Sequence, residues 1–310
     1  MELSVVIPHY DNYEGLERIL LQIYNTKEDL EIIVVDDNSD NSIIQRIEKL
    51  REKVNFIFVK NEENLGAGHS RNVAMKYITK KWVIFCDSDD ILVENWNEIL
   101  KKYLETNYEI VFFKPSSVFE DTKKIANRHQ YFENLVKEFC SKTGNKEKIR
   151  YEFGVPWSKL IKTELIFRNN IIFQETKTIN DRLFSTKIGH YAKEVYAVEE
   201  TYYIATRRKG SLTTLIREDI FDEKIYVMIE ITKFLESVGK EKYKPRMLTF
   251  LIQSFKYDKF KFIELSKIIK KNRMRIFPLD MIRYTLNGYY LNKIRERYYD
   301  RSYNINLNTK

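Results

Sequence analysis

The chain has 310 residues, of which 43% are hydrophobic and 32% charged, with only 9 glycines and 5 prolines. This composition supports a sizeable packed core and excludes a disordered or low-complexity protein. The formal net charge of +8 predicts attraction to polyanions, so nucleic acid and an anionic lipid surface are both candidate partners.

Cysteine usage and hydropathy predict the compartment. Cys86 and Cys140 stand far apart, which argues against a disulfide framework or a cysteine metal site and fits a reducing compartment. The chain runs straight into a strand pattern at residues 3–7, without a secretory leader pattern, and no apolar segment has the length needed to cross a bilayer. We therefore expect a cytoplasmic protein, or one attached peripherally to the inner face of the plasma membrane.

Strand and helix patterns alternate through the first hundred residues. Short apolar runs predict strands at residues 4–8, 32–35, 54–59, 82–86 and 110–113. Apolar residues at helical spacing predict helices around residues 16–23, 43–50, 70–77 and 96–103. This alternation predicts an α/β fold with a mostly parallel sheet flanked by helices on both faces.

Carboxylates follow several of these strands. Asp11 follows the first strand, Asp37 the second, and Asp87 and Asp89 the fourth. Because parallel strands point their carboxyl ends the same way, these groups are expected to gather at one edge of the sheet. Close carboxylates attract a hard divalent cation, which makes Asp87 and Asp89 candidate metal ligands. The alternative is an Asp-rich turn that caps the next helix.

The glycine pattern narrows the enzyme classes. Gly66-Ala67-Gly68 lacks the third glycine of the dinucleotide fingerprint, and the chain has no Gly-Lys-Ser/Thr of a P-loop there. An NAD enzyme or an ATPase is therefore disfavoured.

Several stretches in the expected order carry a resemblance to a known family. They are Val5-Val6-Ile7-Pro8-His9-Tyr10-Asp11, Glu31 to Ser39, Asn64-Leu65-Gly66 with Ser70-Arg71-Asn72, Asp87-Ser88-Asp89-Asp90, Pro156 to Leu160, Ile179 to Phe184, and Arg208 to Thr213. Over roughly residues 1–215 the sequence resembles the inverting glycosyltransferases of family 2, which have the GT-A fold. It departs from the family pattern at four places: Asp11 for Asn, Ser70 for Ala, Asn180 for Glu and Ala205-Thr206 for Tyr-Arg.

The resemblance implies a reaction that moves a sugar from a UDP-sugar to the hydroxyl of a glycan or lipid-linked acceptor in surface polysaccharide synthesis, with Mn²⁺ or Mg²⁺. It implies donor-nucleotide contacts from Pro8, Tyr10, Asp11, Asp37, Gly66, Arg71, Asp87 and Ser88. Asp87 and Asp89 would hold the metal, and Asp37 would accept the uracil N–H.

The resemblance also implies a catalytic base, Asp181, although an aspartate there would equally cap the following helix. Trp157 is a weaker candidate for stacking on an acceptor ring, with a core tryptophan as the alternative. Arg71 would face the donor diphosphate, the alternative being a solvated helix residue.

Residues 216–310 match no family pattern and are predicted to be a helical, basic and aromatic C-terminal region. Residues 256–275 interleave Lys and Arg with aromatic side chains. Such a stretch suits a membrane-surface helix, nucleic-acid binding or an ordinary helical appendage. Beside a transferase that uses lipid-linked acceptors, docking on an anionic membrane surface is favoured. A last helix is expected at residues 281–299.

The same residues bear on three alternative functions. A sugar-nucleotide nucleotidyltransferase would carry a Gly-rich loop near the first strand, which Pro8-His9-Tyr10-Asp11 lacks. A basic nucleic-acid-binding protein would not need acidic clusters, which repel phosphate, so no nucleic acid partner is expected. An inactive donor-binding scaffold stays open because Asn180 and Thr206 depart from the family pattern. The sequence does not specify an oligomeric state.

Overall fold

The computed structural model describes residues 1–207, 218–245, 247–254 and 259–272. The strands are β1 Leu3–His9, β2 Glu31–Asp36, β3 Ile57–Lys60, β4 Trp82–Phe85, β5 Ile91–Leu92, β6 Ile110–Phe113, β7 Ser116–Phe119, β8 Lys159–Lys162, β9 Val195–Val198 and β10 Tyr203–Arg207. The helices are α1 Tyr13–Tyr24, α2 Asn41–Arg51, α3 Ala67–Met75, α4 Trp96–Lys101, α5 Gln130–Cys140, α6 Lys148–Glu152, α7 Thr163–Arg168, α8 Arg182–Tyr191, α9 Glu218–Ser237, α10 Met247–Ser254 and α11 Lys259–Lys271, with a 3₁₀ turn at Glu241–Tyr243.

A seven-stranded sheet forms the centre of the described fold, in the order β3-β2-β1-β4-β8-β6-β9. The pairs β3-β2, β2-β1, β1-β4 and β6-β9 are parallel. Only β8 within this sheet runs against its neighbours, β4 and β6. The α/β architecture with a mostly parallel sheet is therefore confirmed, and β1, β2 and β4 deliver their carboxyl ends to one edge.

The core lies on both faces of this sheet because successive side chains of a strand point in opposite directions. In β1, Val5 and Ile7 pack with one cluster that includes Leu16 and Trp96, whereas Val6 packs with a second cluster that includes Phe173. All of these residues are buried. Burial on both faces explains why the first strands consist of unbroken apolar runs and do not alternate.

A second, three-stranded sheet has the order β5-β10-β7. Strand β10 pairs antiparallel with β5, with Tyr203 opposite Leu92 and Ile204 opposite Ile91. The sequence analysis did not predict this sheet or β8, since β7, β8 and β10 mix apolar with polar residues and β5 has only two residues. The third predicted strand also begins later than expected, at Ile57, although Val54 and Phe56 are buried.

The chain forms two compact units, residues 1–227 and 228–310. In the second unit, the described residues form the last part of α9, then α10 and α11. No helix among the described residues is both long and apolar enough to pass through a membrane. The Arg208 to Thr213 stretch and the helix expected at residues 281–299 lie outside the described residues.

Candidate active site

Three carboxylates stand together where β4 ends. Asp87 and Asp89 are half-buried, whereas Asp90 has no exposed surface. Each of the three offers an oxygen, and these oxygens lie within 4.8 Å of one another. Such a donor set, made of carboxylate oxygens, fits Mg²⁺ or Mn²⁺.

Asp90 differs from the other two because its carboxylate is directed to β10. It accepts hydrogen bonds from the hydroxyl of Tyr203 and the backbone N–H of Thr206. Burial, followed by the charge of Asp89, raises the pKa of Asp90 to about 8. The two partly exposed carboxylates of the cluster are those of Asp87 and Asp89, the residues predicted from the sequence as metal ligands.

Arg71 connects this cluster to a segment more than a hundred residues away in sequence. Its Nη2 donates to Asp87 Oδ1 at 2.5 Å and its Nη1 donates to Asn180 Oδ1 at 3.0 Å. The side chain is 4% exposed and its guanidinium lies 5.3 Å from the ring centre of Phe173. The alternative of a solvated helix residue is therefore wrong, because two donor groups of Arg71 form hydrogen bonds within the protein.

Asp181 follows Asn180 and stands at the N-cap position of α8, half-buried. Its side chain makes no capping hydrogen bond to the helix. Burial raises the pKa of Asp181, Arg71 opposes that shift and Asp87 adds to it, which places the carboxyl group within the field of the β4 cluster. The preceding Ile179 has φ = +54°, a left-handed conformation that a β-branched residue rarely adopts.

Two glycines let the Asn180 segment approach α3. A Cβ on Gly68 would lie 2.1 Å from the carbonyl oxygen of Gln174 and 2.8 Å from Asn180 Cβ, so only glycine fits. Gly66, with φ = +89°, forms the turn before α3. The glycine pair therefore brings two loops into contact at this edge of the sheet.

The end of β2 is also acidic, but its carboxylates accept hydrogen bonds from other groups of the protein. Asp36 accepts from His9 Nδ1 and from the N–H and hydroxyl of Ser39. Because Asn12 N–H donates to His9 Nε2, the imidazole proton belongs on Nδ1. Asp36 has no exposed surface.

Asp37 holds the loop that leads into α3. It accepts from Asn61 Nδ2 at 2.9 Å, Leu65 N–H at 3.1 Å and Gly66 N–H at 2.6 Å, and it is 3% exposed. A carboxylate has about four acceptor positions, so about one is left for a ligand.

The remaining predicted donor residues lie at the same edge. Pro8 is buried in β1, and Tyr10 beyond it is 50% exposed. Asp11 adopts φ = +45° and accepts the N–H of Asp40 at 2.9 Å. Ser88 is 9% exposed.

Trp157, the weaker candidate for stacking on an acceptor ring, lies in the core. It is 1% exposed and stacks on Tyr203, with ring centres 5.5 Å apart and planes 6° apart. In this structure its position matches the alternative of a core tryptophan, because both ring faces lie among protein groups.

Sequence analysis missed two charged residues near this site. Arg128 donates to the carbonyl of Thr206 at 3.0 Å. Burial would lower its pKa, but Asp90, Asp87 and Asp89 raise it above the ordinary value. Buried Lys159 donates to the carbonyl of Phe153 at 2.7 Å, and burial lowers its pKa well below the ordinary value although Asp181 opposes that shift. No pattern marks Arg128, whereas Lys159 lies in the Trp-x-Lys-Leu stretch.

The sequence matches a known protein family and several characterised proteins. The family model described as glycosyl transferase family 2 matches residues 4–168. The poly(ribitol-phosphate) beta-N-acetylglucosaminyltransferase TarS of Staphylococcus aureus is 27% identical over 270 residues, which cover 84% of this chain and 45% of that protein. A cholesterol galactosyltransferase of Borreliella burgdorferi is 28% identical over 228 residues, covering 69% of this chain and 63% of that protein. The chain thus spans less than two thirds of the length of these relatives.

A solved structure gives the same result for the fold. The crystal structure of S. aureus TarS residues 1–349 in complex with UDP-GlcNAc matches with a TM-score of 0.66 and 25% identity, covering 86% of this chain and 79% of that one. The predicted GT-A fold is confirmed.

Proposed function

Because this chain belongs to glycosyl transferase family 2, we propose that it moves a hexose from a UDP-sugar to an acceptor hydroxyl, with inversion and with a divalent cation. One observation carries the proposal: the Arg71 side chain joins Asp87, at the end of β4, to Asn180, which precedes Asp181. A candidate cation ligand and a candidate base from distant parts of the chain therefore face one site.

The donor nucleotide is assigned to the edge formed by β1 and β2. Tyr10 offers an exposed ring for stacking on the base beside Pro8 and Asp11. Asp37 orders the Gly66 turn with its hydrogen bonds and has about one acceptor position left for a base N–H. The complex of TarS with UDP-GlcNAc supports uridine as the base.

Asp87 and Asp89 would hold Mn²⁺ or Mg²⁺. When bound, such a cation stabilises the charge that develops on the leaving diphosphate. Arg71 holds Asp87 in place with a short hydrogen bond, and Ser88 completes the turn between the two ligands. The carboxyl of Asp90 is turned away into the protein and is assigned no ligand role.

Asp181 is assigned as the base that takes the proton of the acceptor hydroxyl. A single displacement with inversion needs a base on the side opposite the leaving group. Since burial raises the pKa of Asp181, the acid limb of kcat/KM is expected above the ordinary carboxylate range. Activity then falls as the pH drops through this raised pKa and Asp181 becomes protonated.

The defining experiment incubates the protein with UDP-GlcNAc, UDP-galactose and UDP-glucose, with Mn²⁺ or with EDTA, and measures release of UDP. We expect turnover of at least one donor with Mn²⁺ and loss of it with EDTA. Asp181→Asn should lower kcat about 10²- to 10⁴-fold with UDP affinity nearly unchanged, whereas the exposed Asp121→Asn control should keep both. Failure of every donor, or metal-independent turnover, would refute the proposal.

The acceptor is proposed to be a hydroxyl of a glycan or lipid-linked glycan used in surface polysaccharide synthesis. TarS, by its name, acts on poly(ribitol phosphate), which supports a polymer acceptor. Transfer to polyprenyl-linked and water-soluble glycans of the same sequence separates the two kinds of acceptor.

Helix α11 is proposed to dock on an anionic membrane surface. Phe260 is 69% exposed and Ile263 is 47% exposed, and exposed Lys267, Lys270 and Lys271 lie on the same helix. Exposed apolar side chains beside cations suit the headgroup region of an anionic bilayer. Co-sedimentation with phosphatidylglycerol vesicles should fall for the Phe260→Ser/Ile263→Ser double variant and stay unchanged for Ile125→Ser, which alters an exposed apolar residue of the first unit. Equal sedimentation of all three proteins would remove this docking site.

A further inference from the structure

Asp90 belongs by distance to the acidic cluster, yet both of its oxygens are used by β10. Oδ2 accepts from Tyr203 Oη at 2.5 Å, and Oδ1 accepts from the N–H of Thr206 at 2.6 Å. Asp90 and Tyr203 have no exposed surface, and Thr206 is 2% exposed. We call these three residues the Asp90 network.

The same two partners also hold the backbone at the neighbouring aspartates. Tyr203 Oη accepts the N–H of Asp87 at 3.0 Å, and Thr206 Oγ1 donates to the carbonyl of Asp89 at 2.7 Å. One tyrosine hydroxyl therefore bridges the side chain of Asp90 and the backbone of Asp87. The turn is fixed at each of its three acidic positions by residues of one strand.

The anchoring strand is itself well held. Tyr203 stacks on buried Trp157, and β10 pairs with β5, which begins directly after Asp90. From the other side, Arg18 Nη2 donates to the carbonyl of Asp89 at 2.7 Å. These contacts fix β10 and hold the backbone of the acidic turn from two sides.

We propose that Asp90, Tyr203 and Thr206 are positioning residues that hold Asp87 and Asp89 in the arrangement that binds a divalent cation. The inference rests on the proposed function and deepens it, because it assigns roles to a strand more than a hundred residues away from the two ligands. Removal of a group that hydrogen-bonds to a metal ligand and orients it commonly weakens metal affinity about 10- to 100-fold. Thr206 here stands where the resembling family usually has arginine, so the contact is made by a hydroxyl and a backbone N–H.

Tyr203→Phe tests the network by removing one hydroxyl and keeping the ring that stacks on Trp157. Tyr202→Phe is the matched control, since Tyr202 is equally buried and its hydroxyl donates to the carbonyl of Lys159 at 3.1 Å, away from the acidic turn. Binding of Mn²⁺ in the presence of UDP is measured from the electron paramagnetic resonance signal of the free ion, and folding from the melting temperature. We expect about 10-fold weaker Mn²⁺ binding for Tyr203→Phe than for Tyr202→Phe at similar melting temperatures.

Thr206 provides a second, independent variant. Thr206→Val keeps the backbone N–H that binds Asp90 and loses the hydroxyl that binds Asp89, and Thr206→Ser restores that hydroxyl. We expect weaker Mn²⁺ binding for valine and recovery for serine, which a general loss of packing would not give. If Tyr203→Phe and Thr206→Val bind Mn²⁺ as tightly as the wild-type protein and Tyr202→Phe do, the positioning role is refuted and the proposed function is not affected. If the wild-type protein itself binds no Mn²⁺ with UDP, both the positioning role and the metal-dependent function are refuted.

Discussion

The ends of β2 and β4 have nearly the same sequence pattern and different structures. Each is a buried apolar strand followed by acidic residues, Asp36-Asp37 in one case and Asp87 to Asp90 in the other. Asp36 and Asp37 are at most 3% exposed and accept hydrogen bonds from six donors of the protein, whereas Asp87 and Asp89 are half-buried. The comparison shows that similar acidic strand ends differ in how deeply the surrounding loops bury their carboxylates, and the less buried end is the candidate cation site.

Among the variants that test this comparison of the two strand ends, Asp89→Asn has the largest expected effect. Loss of a charged oxygen ligand should lower Mn²⁺-dependent turnover about 10²- to 10³-fold, since a bound cation contributes several kcal/mol to the transition state. The melting temperature of the metal-free protein should hardly change, because the side chain is only half-buried. Assays of turnover against Mn²⁺ concentration, together with thermal unfolding, check both statements. Full turnover of Asp89→Asn at ordinary Mn²⁺ concentrations would show that the β4 end, like the β2 end, is not the cation site.

Gly68→Ala tests how the base reaches the β4 end. The new Cβ would lie 2.1 Å from the carbonyl oxygen of Gln174, so the segment carrying Asn180 and Asp181 must move. A small displacement of a reacting group is costly, and we expect kcat to fall about 10- to 100-fold with less change in Mn²⁺ affinity. Steady-state kinetics and Mn²⁺ binding separate the two. An equal loss of both would show that the whole edge, and not the base segment, depends on this glycine.

Asp36→Asn is the counterpart at the β2 end and should act on stability. It removes charge-assisted hydrogen bonds to His9 and Ser39 in a fully buried site, so the free energy of unfolding should fall by about 2 kcal/mol. The Mn²⁺ affinity of the folded protein should stay that of the wild type. Urea unfolding and Mn²⁺ titration give these values. A stable Asp36→Asn protein with weakened Mn²⁺ binding would reverse the assignment of the two ends.

The smallest expected effect concerns pH. Burial acts to raise the pKa of Asp36, but the hydrogen bonds of His9 and Ser39 outweigh it, and the pKa lies below the ordinary value. Its stabilising contribution is therefore present above the ordinary aspartate pKa and is lost as the pH falls through the lowered one. Urea unfolding between pH 7 and pH 3 should show the gap between wild type and Asp36→Asn closing only at the acid end. A gap that closes near neutral pH would point to a raised pKa instead.

The sequence predicted the elements with strong local patterns. β1, β2, β4, β6 and the first helices follow from apolar runs and helical spacing. The predicted residues at the ends of β1, β2 and β4 lie along one edge of the sheet, because the ends of parallel strands share an edge. Arg71 approaches this edge from α3, and its contact with Asn180 brings the start of α8 near it.

The sequence did not predict β8, the small sheet or the partners of the acidic residues. No apolar run marks β7, β8 and β10, which mix apolar with polar residues, and β5 has only two residues. The pairing of these strands is decided by contacts far away in the chain. Tyr203 is 113 residues from Asp90, and Asn180 is 109 residues from Arg71. Only the fold shows that Asp37 is almost fully bonded and that Trp157 is in the core.

Ile179 has a practical consequence for anyone who engineers this protein. Its left-handed backbone costs about 1 to 3 kcal/mol for a non-glycine residue, and a glycine there would be free of that cost. Ile179→Gly would relieve that strain but would also remove a half-buried apolar side chain and widen the unfolded ensemble, so little net change in stability is expected. The same exchange would loosen the segment directly before Asn180 and Asp181, so a slower enzyme is expected.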